Sequence, residues 1–414
     1  MPYFLFKAWT DKKYWQNLPA RLGFFKTLES NGFEKVLWVH AVSVGETLAC
    51  KPLISLIKRQ HPSWQVILST TTLTGHRLAR EQLRPPVDEI IYFPIDLPFA
   101  VRRAVARTQP DLVMVAETEI WPNFLRECAR RDIPCVLVNG RLSTRSFRRY
   151  RWVRRFMQDV LHHFDLLLAQ SNDDAERLRA LGAPDARLQV IGNMKYDIQP
   201  STPAAAASLH QLVKDSLGID KGGVLLLAGS TVDGEDKIIL STFVKLKAKH
   251  KSFRLILAPR HPERFSLVEQ LINRLGLKYA RRSRLGDGVL PREAIEVLLL
   301  DTMGELAGLY ELADLVFIGG SLVPKGGHNI IEPALYAKPI LFGPYTQNFS
   351  HIVKTFLDEH AAVEARDPDH LLTLLDELLI DPRARAQLGR NARAIIERNG
   401  GATQRTLACI ERLL

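Results

Sequence analysis

The chain has 414 residues, 46% of them hydrophobic and 24% charged, which is ordinary globular composition with enough apolar material for two or more cores at about 100–200 residues per domain. Disorder and fibrous repeats are thereby excluded. The net charge of +11 is lopsided, with 29 Lys+Arg against 20 Asp+Glu in residues 1–200 and 27 against 25 in the remainder, so the amino-terminal half is expected to meet something anionic: nucleic acid, an acidic lipid surface or a phosphorylated substrate.

From Val36 onward, short runs of Val, Ile and Leu alternate with amphipathic stretches, the pattern of βα units around a parallel sheet. Strands are predicted at 36–41, 64–71, 89–93, 111–116, 134–139, 164–170 and 188–192, with helices such as Glu46–Gln60 and Leu97–Arg107 between them. The first strand ends in H-A-V-S-V-G-E, which sets Glu46 at the start of the next helix. A carboxylate there can take a proton from an attacking hydroxyl, or it can merely complement the helix dipole. Strand 111–116 ends in A-E-T-E-I-W-P-N, placing Glu117 and Glu119 at a strand end, and Glu117 is the member selected as functional. The last strand of this half ends in G-N-M-K-Y-D, with Lys195 at the expected domain junction; a cation there can stabilise developing negative charge, or be a solvated surface lysine.

Within this half, R-L-S-T-R-S-F-R-R-Y-R-W-V-R-R carries seven arginines (141, 145, 148, 149, 151, 154, 155) and no acid, interleaved with Phe147, Tyr150, Trp152 and Phe156. Such a stretch suits phosphates bound by guanidinium forks with rings among acyl chains, and it equally suits RNA; a plain solvated amphipathic helix is the third reading.

After Asn193, a polar stretch and S-T-P-A-A-A-A-S mark a linker. A second series follows, with strands at 223–229, 253–258, 296–300, 314–319 and 339–343, helices such as Glu235–His250 and Met303–Ala313, and a helical tail. Two doubly wound sheets imply a cleft between them and ligands outside the carboxyl ends of strands. G-G-S-L-V-P-K-G-G-H-N-I-I-E-P runs from strand through glycine-rich loop to helix, and reads as a phosphate cradle in which amides of Gly319, Gly320, Gly326 and Gly327 and a helix starting near His328 or Asn329 face a ligand. Glu332, one turn on, suits ribose hydroxyls. Pro259, Arg260 and the turn Met303-Gly304-Glu305 lie at two further strand ends, although Arg260 and Glu305 each also fit as plain surface or early-helix charges.

There is no G-x-G-x-x-G after a first strand, no P-loop, no H-E-x-x-H and no G-x-S-x-G. The four cysteines (50, 128, 135, 409) form no C-x-x-C pair and lie in apolar segments, so core thiols in a reducing compartment are expected. No run approaches the roughly 18 apolar residues of a membrane span, and the start lacks the pattern of a signal peptide.

Taken in order, H-A-V-S-V-G-E, A-E-T-E-I-W-P-N, G-N-M-K-Y-D, P-R-H-P-E-R-F, D-T-M-G-E-L and G-G-S-L-V-P-K-G-G-H-N-I-I-E-P resemble the bacterial 3-deoxy-D-manno-octulosonic acid (Kdo) transferases, from about residue 15 to the end. The resemblance implies a GT-B architecture: an acceptor-binding Rossmann-like domain at 1–198, a CMP-Kdo-binding one at 199–400, and a helix at 401–414 that crosses back to the first. It implies Glu46 as proton acceptor, Glu117 and Lys195 as transition-state-stabilising positions, and Pro259, Arg260, Met303, Gly304, Glu305, Asn329, Ile330, Ile331 and Glu332 as CMP-binding segments. The expected partners are CMP-Kdo, a bisphosphorylated lipid A precursor of lipid IVA type and an anionic membrane surface reached by Arg148, Arg149 and Arg151; no metal, other cofactor or nucleic acid is expected.

Family members usually begin with a long apolar anchor, whereas here only Tyr3–Phe6 and scattered aromatics precede Arg21-Leu22-Gly23, so peripheral binding at the cytoplasmic face of the inner membrane is expected. The family's S-T-H-x-G-E-E reads S-T-V-D-G-E-D at 230–236, with Val232 in place of His. Competing readings are another GT-B-type enzyme using a UDP-sugar, and a non-catalytic protein that binds anionic lipid or RNA.

Overall fold

The computed structural model describes residues 17–28, 32–198, 203–219, 222–285 and 293–414; the apolar start Tyr3–Phe6 and the link at 199–202 lie outside these residues. The chain forms two compact units, Met1–Asp197 together with Asn399–Leu414, and Ile198–Arg398.

Unit 1 is built on β1 (Lys35–His40), β2 (Trp64–Thr70), β3 (Glu89–Tyr92), β4 (Leu112–Ala116), β5 (Cys135–Gly140), β6 (Leu166–Ala169) and β7 (Leu188–Val190). They form one parallel sheet in the order β3-β2-β1-β4-β5-β6-β7. Alternate residues of β1 enter opposite cores: Leu37 and Val39 pack on one face, Val36 and Trp38 on the other. Both faces are covered by helices, so the strands read as unbroken apolar runs.

Unit 2 repeats the plan with β8 (Leu225–Thr231), β9 (Arg254–Pro259), β10 (Tyr279–Arg281), β11 (Val297–Leu299), β12 (Leu315–Ile318), β13 (Ile340–Phe342) and β14 (Ala362–Glu364). All are parallel, in the order β10-β11-β9-β8-β12-β13-β14. In each sheet the strand order reverses beside the first strand, between β1 and β4 and between β8 and β12. Connections leave for opposite faces there, opening a crevice at the carboxyl ends.

Every strand expected from the sequence is present, and the three-residue edge strands β10 and β14 are additional. Three helical expectations need correction. Met303–Ala313 is one α-turn, Leu306–Leu309, followed by a 3-10 turn, Tyr310–Leu312, because Gly304 sits at φ +87° and keeps the helix from starting at Met303. The helix expected to begin near His328 or Asn329 is only Ile331–Ala334, ended by the left-handed Ala337, after which the Lys338 N–H donates back to Pro333 O at 3.2 Å. The arginine-rich stretch is two eight-residue helices, Thr144–Arg151 and Arg154–Leu161, broken at Trp152-Val153.

The C-terminal helix Ala402–Glu411 belongs to unit 1, where Ala402, Leu407 and Ile410 join the core that covers β1 and β4. Burial of side chains the size of Leu407 and Ile410 contributes about 1.5–3 kcal/mol each. All four cysteines are buried free thiols. No helix among the described residues is long and apolar enough to cross a membrane.

Candidate active site

The crevice of unit 1 collects charge. After β1 the chain turns through Val42 and is capped by Ser43, the N-cap of the helix Val44–Gln60. Ser43 and Glu46 form a capping box: the Glu46 N–H donates to Ser43 Oγ at 3.5 Å while Ser43 Oγ–H donates to Glu46 Oε1 at 2.8 Å. The second carboxylate oxygen, Oε2, accepts from the Val42 N–H at 2.7 Å. Glu46 is therefore both the partner of the Ser43 cap and an oriented carboxylate. Burial raises its pKa above the usual glutamate value, opposed by the Val42 N–H and reinforced by the negative charge of Glu117.

Glu117 follows β4 and adopts φ +55°, a left-handed conformation costly for a residue with a Cβ. Its N–H is tied to Val138 O of β5 at 3.0 Å, and its Oε1 accepts from Lys195 Nζ at 2.7 Å. That pair is half-buried, with side-chain exposures of 20% for Lys195 and 17% for Glu117. Glu46, Glu117 and Lys195, separated by up to 149 positions in the sequence, are thus neighbours; both Glu117 and Lys195 act electrostatically on Glu46.

The sequence selected Glu117 over Glu119, yet Glu119 is the more perturbed group. Burial, with added repulsion from Glu46 and Glu117, pushes its carboxyl up to about 8. Three carboxylates face one ammonium, and Glu119 resolves the imbalance by keeping its proton near neutral pH. Just beyond it, Ile120 and Trp121 line a cavity of about 120 Å³ together with Arg21, Thr71, Phe93 and Asp96. Arg21 is buried, donates to Thr71 O at 2.6 Å and lies 4.7 Å from the Tyr92 ring centroid. Among the described residues no group of three or more His, Cys, Asp or Glu side chains is arranged to hold a metal ion.

In unit 2 the equivalent crevice is closed from within. Glu235, fully buried at the start of the helix Glu235–Lys249, accepts from the N–H groups of Val232 (3.1 Å), Gly320 (2.6 Å), Ser321 (2.9 Å) and Leu322 (2.8 Å). Burial lifts its pKa and the four amides pull the other way. This corrects the phosphate cradle: the Gly320 amide serves Glu235, that of Gly319 serves Gly229 O, and that of Gly327 serves Gly320 O. Gly319 is needed for close approach, since a Cβ there would lie 2.5 Å from Ser230 O. The sequence analysis does not single out Glu235; its signal was an acid following the first strand of the second sheet. Val232 takes part through its backbone N–H, so replacement of His leaves that contact intact.

The other selected residues of unit 2 fall into three groups. Arg260, exposed after β9, is electrostatically coupled to His328 and Glu332. Glu332 accepts from Asn329 Nδ2 at 3.2 Å, and burial raises its pKa. Burial and Arg260 hold His328 down to about 4, so its ring is neutral at physiological pH. Glu305 is held by Arg282 at 2.8 Å and by Thr302 Oγ1, with Met303 exposed beside it. Pro259, Ile330 and Ile331 are buried supports.

The arginine-rich helices separate their side chains by face. Phe147 and Tyr150 turn inward onto the core, whereas Arg148, Arg149, Arg151, Arg154 and Arg155 are exposed. Of the four aromatics expected to meet acyl chains, only Trp152, 90% exposed, and Phe156, 49% exposed, face outward, with Val153 beside them.

Residues 16–198 match the profile of the family described as 3-Deoxy-D-manno-octulosonic-acid transferase (kdotransferase). The chain is 35% identical, over 95% of its length and 91% of the relative's, to the 3-deoxy-D-manno-octulosonic acid transferase of Haemophilus influenzae. The chain belongs to this transferase family. The transferase of Bordetella pertussis is 34% identical over 95% of this chain and 91% of its own. Among solved structures, UDP-GlcNAc 2-epimerase from Neisseria meningitidis bound to UDP-GlcNAc superposes with a TM-score of 0.59 at 15% identity, covering 91% of this transferase and 100% of the epimerase. Anabaena HepE in complex with UDP superposes at 0.56 and 16% identity, over 92% and 100%. These two likenesses are of fold, the paired Rossmann-like domains of GT-B enzymes.

Two outcomes follow for the transferase. Glu119→Gln should raise the thermal midpoint of unit 1: the native carboxyl titrates near 8 and the unfolded one near its ordinary value, so the wild type loses stability as pH rises between those values. Differential scanning calorimetry should find little gain at pH 5 and the full gain at pH 8 and above. Glu235→Ala strands buried amides and should cost unit 2 about 2–5 kcal/mol in urea unfolding.

Proposed function

We propose that this transferase moves Kdo from CMP-Kdo to a hydroxyl of a phosphorylated lipid A precursor, with inversion at the anomeric carbon and with Glu46 as the proton acceptor. The observation that carries this reading is the oriented Glu46 carboxylate beside the Glu117–Lys195 pair, in a chain of the Kdo transferase family. Both Glu46 oxygens accept one hydrogen bond from the protein, and each keeps a lone pair for an incoming hydroxyl. Its raised pKa makes it a stronger base than a solvated glutamate while leaving it ionised at a pH above that value.

In the proposed step the acceptor O–H proton passes to Glu46 as the oxygen forms its bond to the anomeric carbon. The bond from that carbon to the phosphate oxygen breaks, and CMP leaves with the electron pair. Lys195, held by Glu117, supplies positive charge where negative charge develops. Donor contacts are assigned to unit 2, to Pro259, Arg260, Met303-Gly304-Glu305 and Asn329 through Glu332. Since the amides of Gly319, Gly320 and Gly327 are already engaged, side chains carry more of the phosphate recognition than the glycine pattern suggests.

The acceptor is assigned to unit 1, which carries the basic excess. Electrostatic coupling of Tyr150 to Glu119 places the arginine-rich helix near the carboxylates. Exposed Arg148, Arg149 and Arg151 with Trp152 and Phe156 form a surface suited to anionic head groups at the inner membrane's cytoplasmic face.

Glu46→Gln retains the shape of the capping box and should lower the transfer rate by about 10²–10⁴-fold, read by mass spectrometry with CMP-Kdo and a tetra-acylated acceptor, while CMP affinity stays near wild type. Near-normal turnover would rule out the base assignment. Replacing Arg148, Arg149 and Arg151 by Ala should weaken flotation with acidic vesicles, and the difference from wild type should shrink as salt is raised. Equal binding of the two proteins at low salt would count against the lipid surface.

A further inference from the structure

We propose that Asp197 is a positioning residue for transfer, fixing the Lys195 ammonium by clamping its turn to the C-terminal helix; this rests on the role proposed for Lys195. Lys195 lies in a four-residue 3-10 turn, Met194–Asp197, a unit too short to hold its own geometry. Its leading end is pinned, because the Met194 N–H donates to Asn139 Oδ1 at 3.0 Å and the Met194 side chain is buried. The trailing end is pinned by Asp197: Oδ1 accepts from the Gly401 N–H at 2.6 Å and Oδ2 from the Thr403 N–H at 2.5 Å.

Those amides open the helix Ala402–Glu411, whose N-cap is Gly401 and has no side chain to offer. A carboxylate from 204 positions earlier therefore does the capping, and a negative charge there also suits the helix dipole. The helix is a firm anchor. Arg405 donates through Nε and Nη2 to Ile191 O at 3.0 and 2.8 Å, and Ala402, Leu407 and Ile410 are buried. Ile191 lies just before the turn, so both flanks of Lys195 are tied to one rigid element. Residue 198 opens unit 2 and residue 398 ends it. The Asp197 clamp thus joins the outgoing and returning chain at their roots.

The lysine side chain is long and flexible, and its reach to Glu117 Oε1 at 2.7 Å depends on where its Cα is held. Releasing the clamp leaves Lys195 present but loosely placed, a loss felt in the rate and not in donor affinity.

The test uses the full chain in four variants: Asp197→Asn, Lys195→Ala, the double variant, and His61→Ala, which removes the 2.7 Å contact to Glu411 at the far end of the same helix. Asp197→Asn should lower kcat about tenfold or more with KM for CMP-Kdo within about twofold, have no further effect in the Lys195→Ala background, and be unmatched by His61→Ala, which should keep wild-type kcat. If circular dichroism finds Asp197→Asn misfolded, Asp197→Ser, which keeps one acceptor for the helix amides, takes its place with the same expectations. Wild-type kcat in the folded Asp197 variant, or an equal loss with and without Lys195, overturns the clamp. Wild-type kcat in Lys195→Ala removes the role of Lys195 itself, a distinct failure that takes the clamp with it.

Discussion

The reversal of strand order beside the first strand of each sheet governs what the rest of the molecule can do. At that point consecutive connections depart to opposite faces, so two strand ends are left without a crossing loop and their following residues converge. In unit 1 this brings the first turn of the helix after β1, with Glu46, against the loop after β4, with Glu117 and Glu119. Crowding three carboxylates is electrostatically unfavourable, and the site tolerates it by distinct means for each. Glu46 is held by an amide and a hydroxyl, Glu117 by an ammonium, and Glu119 by retaining its proton.

Unit 2 meets the same topological opening with a different solution. Glu235 turns inward and binds four amides, converting a gap between β8 and β12 into a strut under the glycine-rich loop. Four amides offset the burial of this carboxylate, because hydrogen bonds to charged acceptors are stronger than neutral ones. The two crevices thus share a topology and differ in where the glutamate at the start of the next helix finds its hydrogen-bond partners.

Much of this was legible in the order of residues. Parallel strands buried on both faces appear as apolar runs, and Glu46, Glu117 and Lys195 stood out because strand ends are where ligands bind. The edge strands β10 and β14, three residues each, are too short to carry a period. Helix bounds failed at Met303 and near Asn329, where the left-handed backbone of Gly304 and of Ala337 outweighed the apolar pattern. Glu119 was passed over because its proton is set by burial in the folded site and by two other carboxylates, and Asp197 because its partners lie more than 200 positions away. In the arginine-rich stretch the composition was plain, but the break at Trp152-Val153 decides which rings face out.

The contribution of Ala402, Leu407 and Ile410 to the first core bears on biosynthesis. A nascent chain emerges from the ribosome with unit 1 lacking one wall, and all of unit 2 must be translated before that wall arrives. Domains folding in order of synthesis is the usual course, yet here unit 1 precedes unit 2 in the chain and is completed after it, with an apolar side uncovered until the helix Ala402–Glu411 docks.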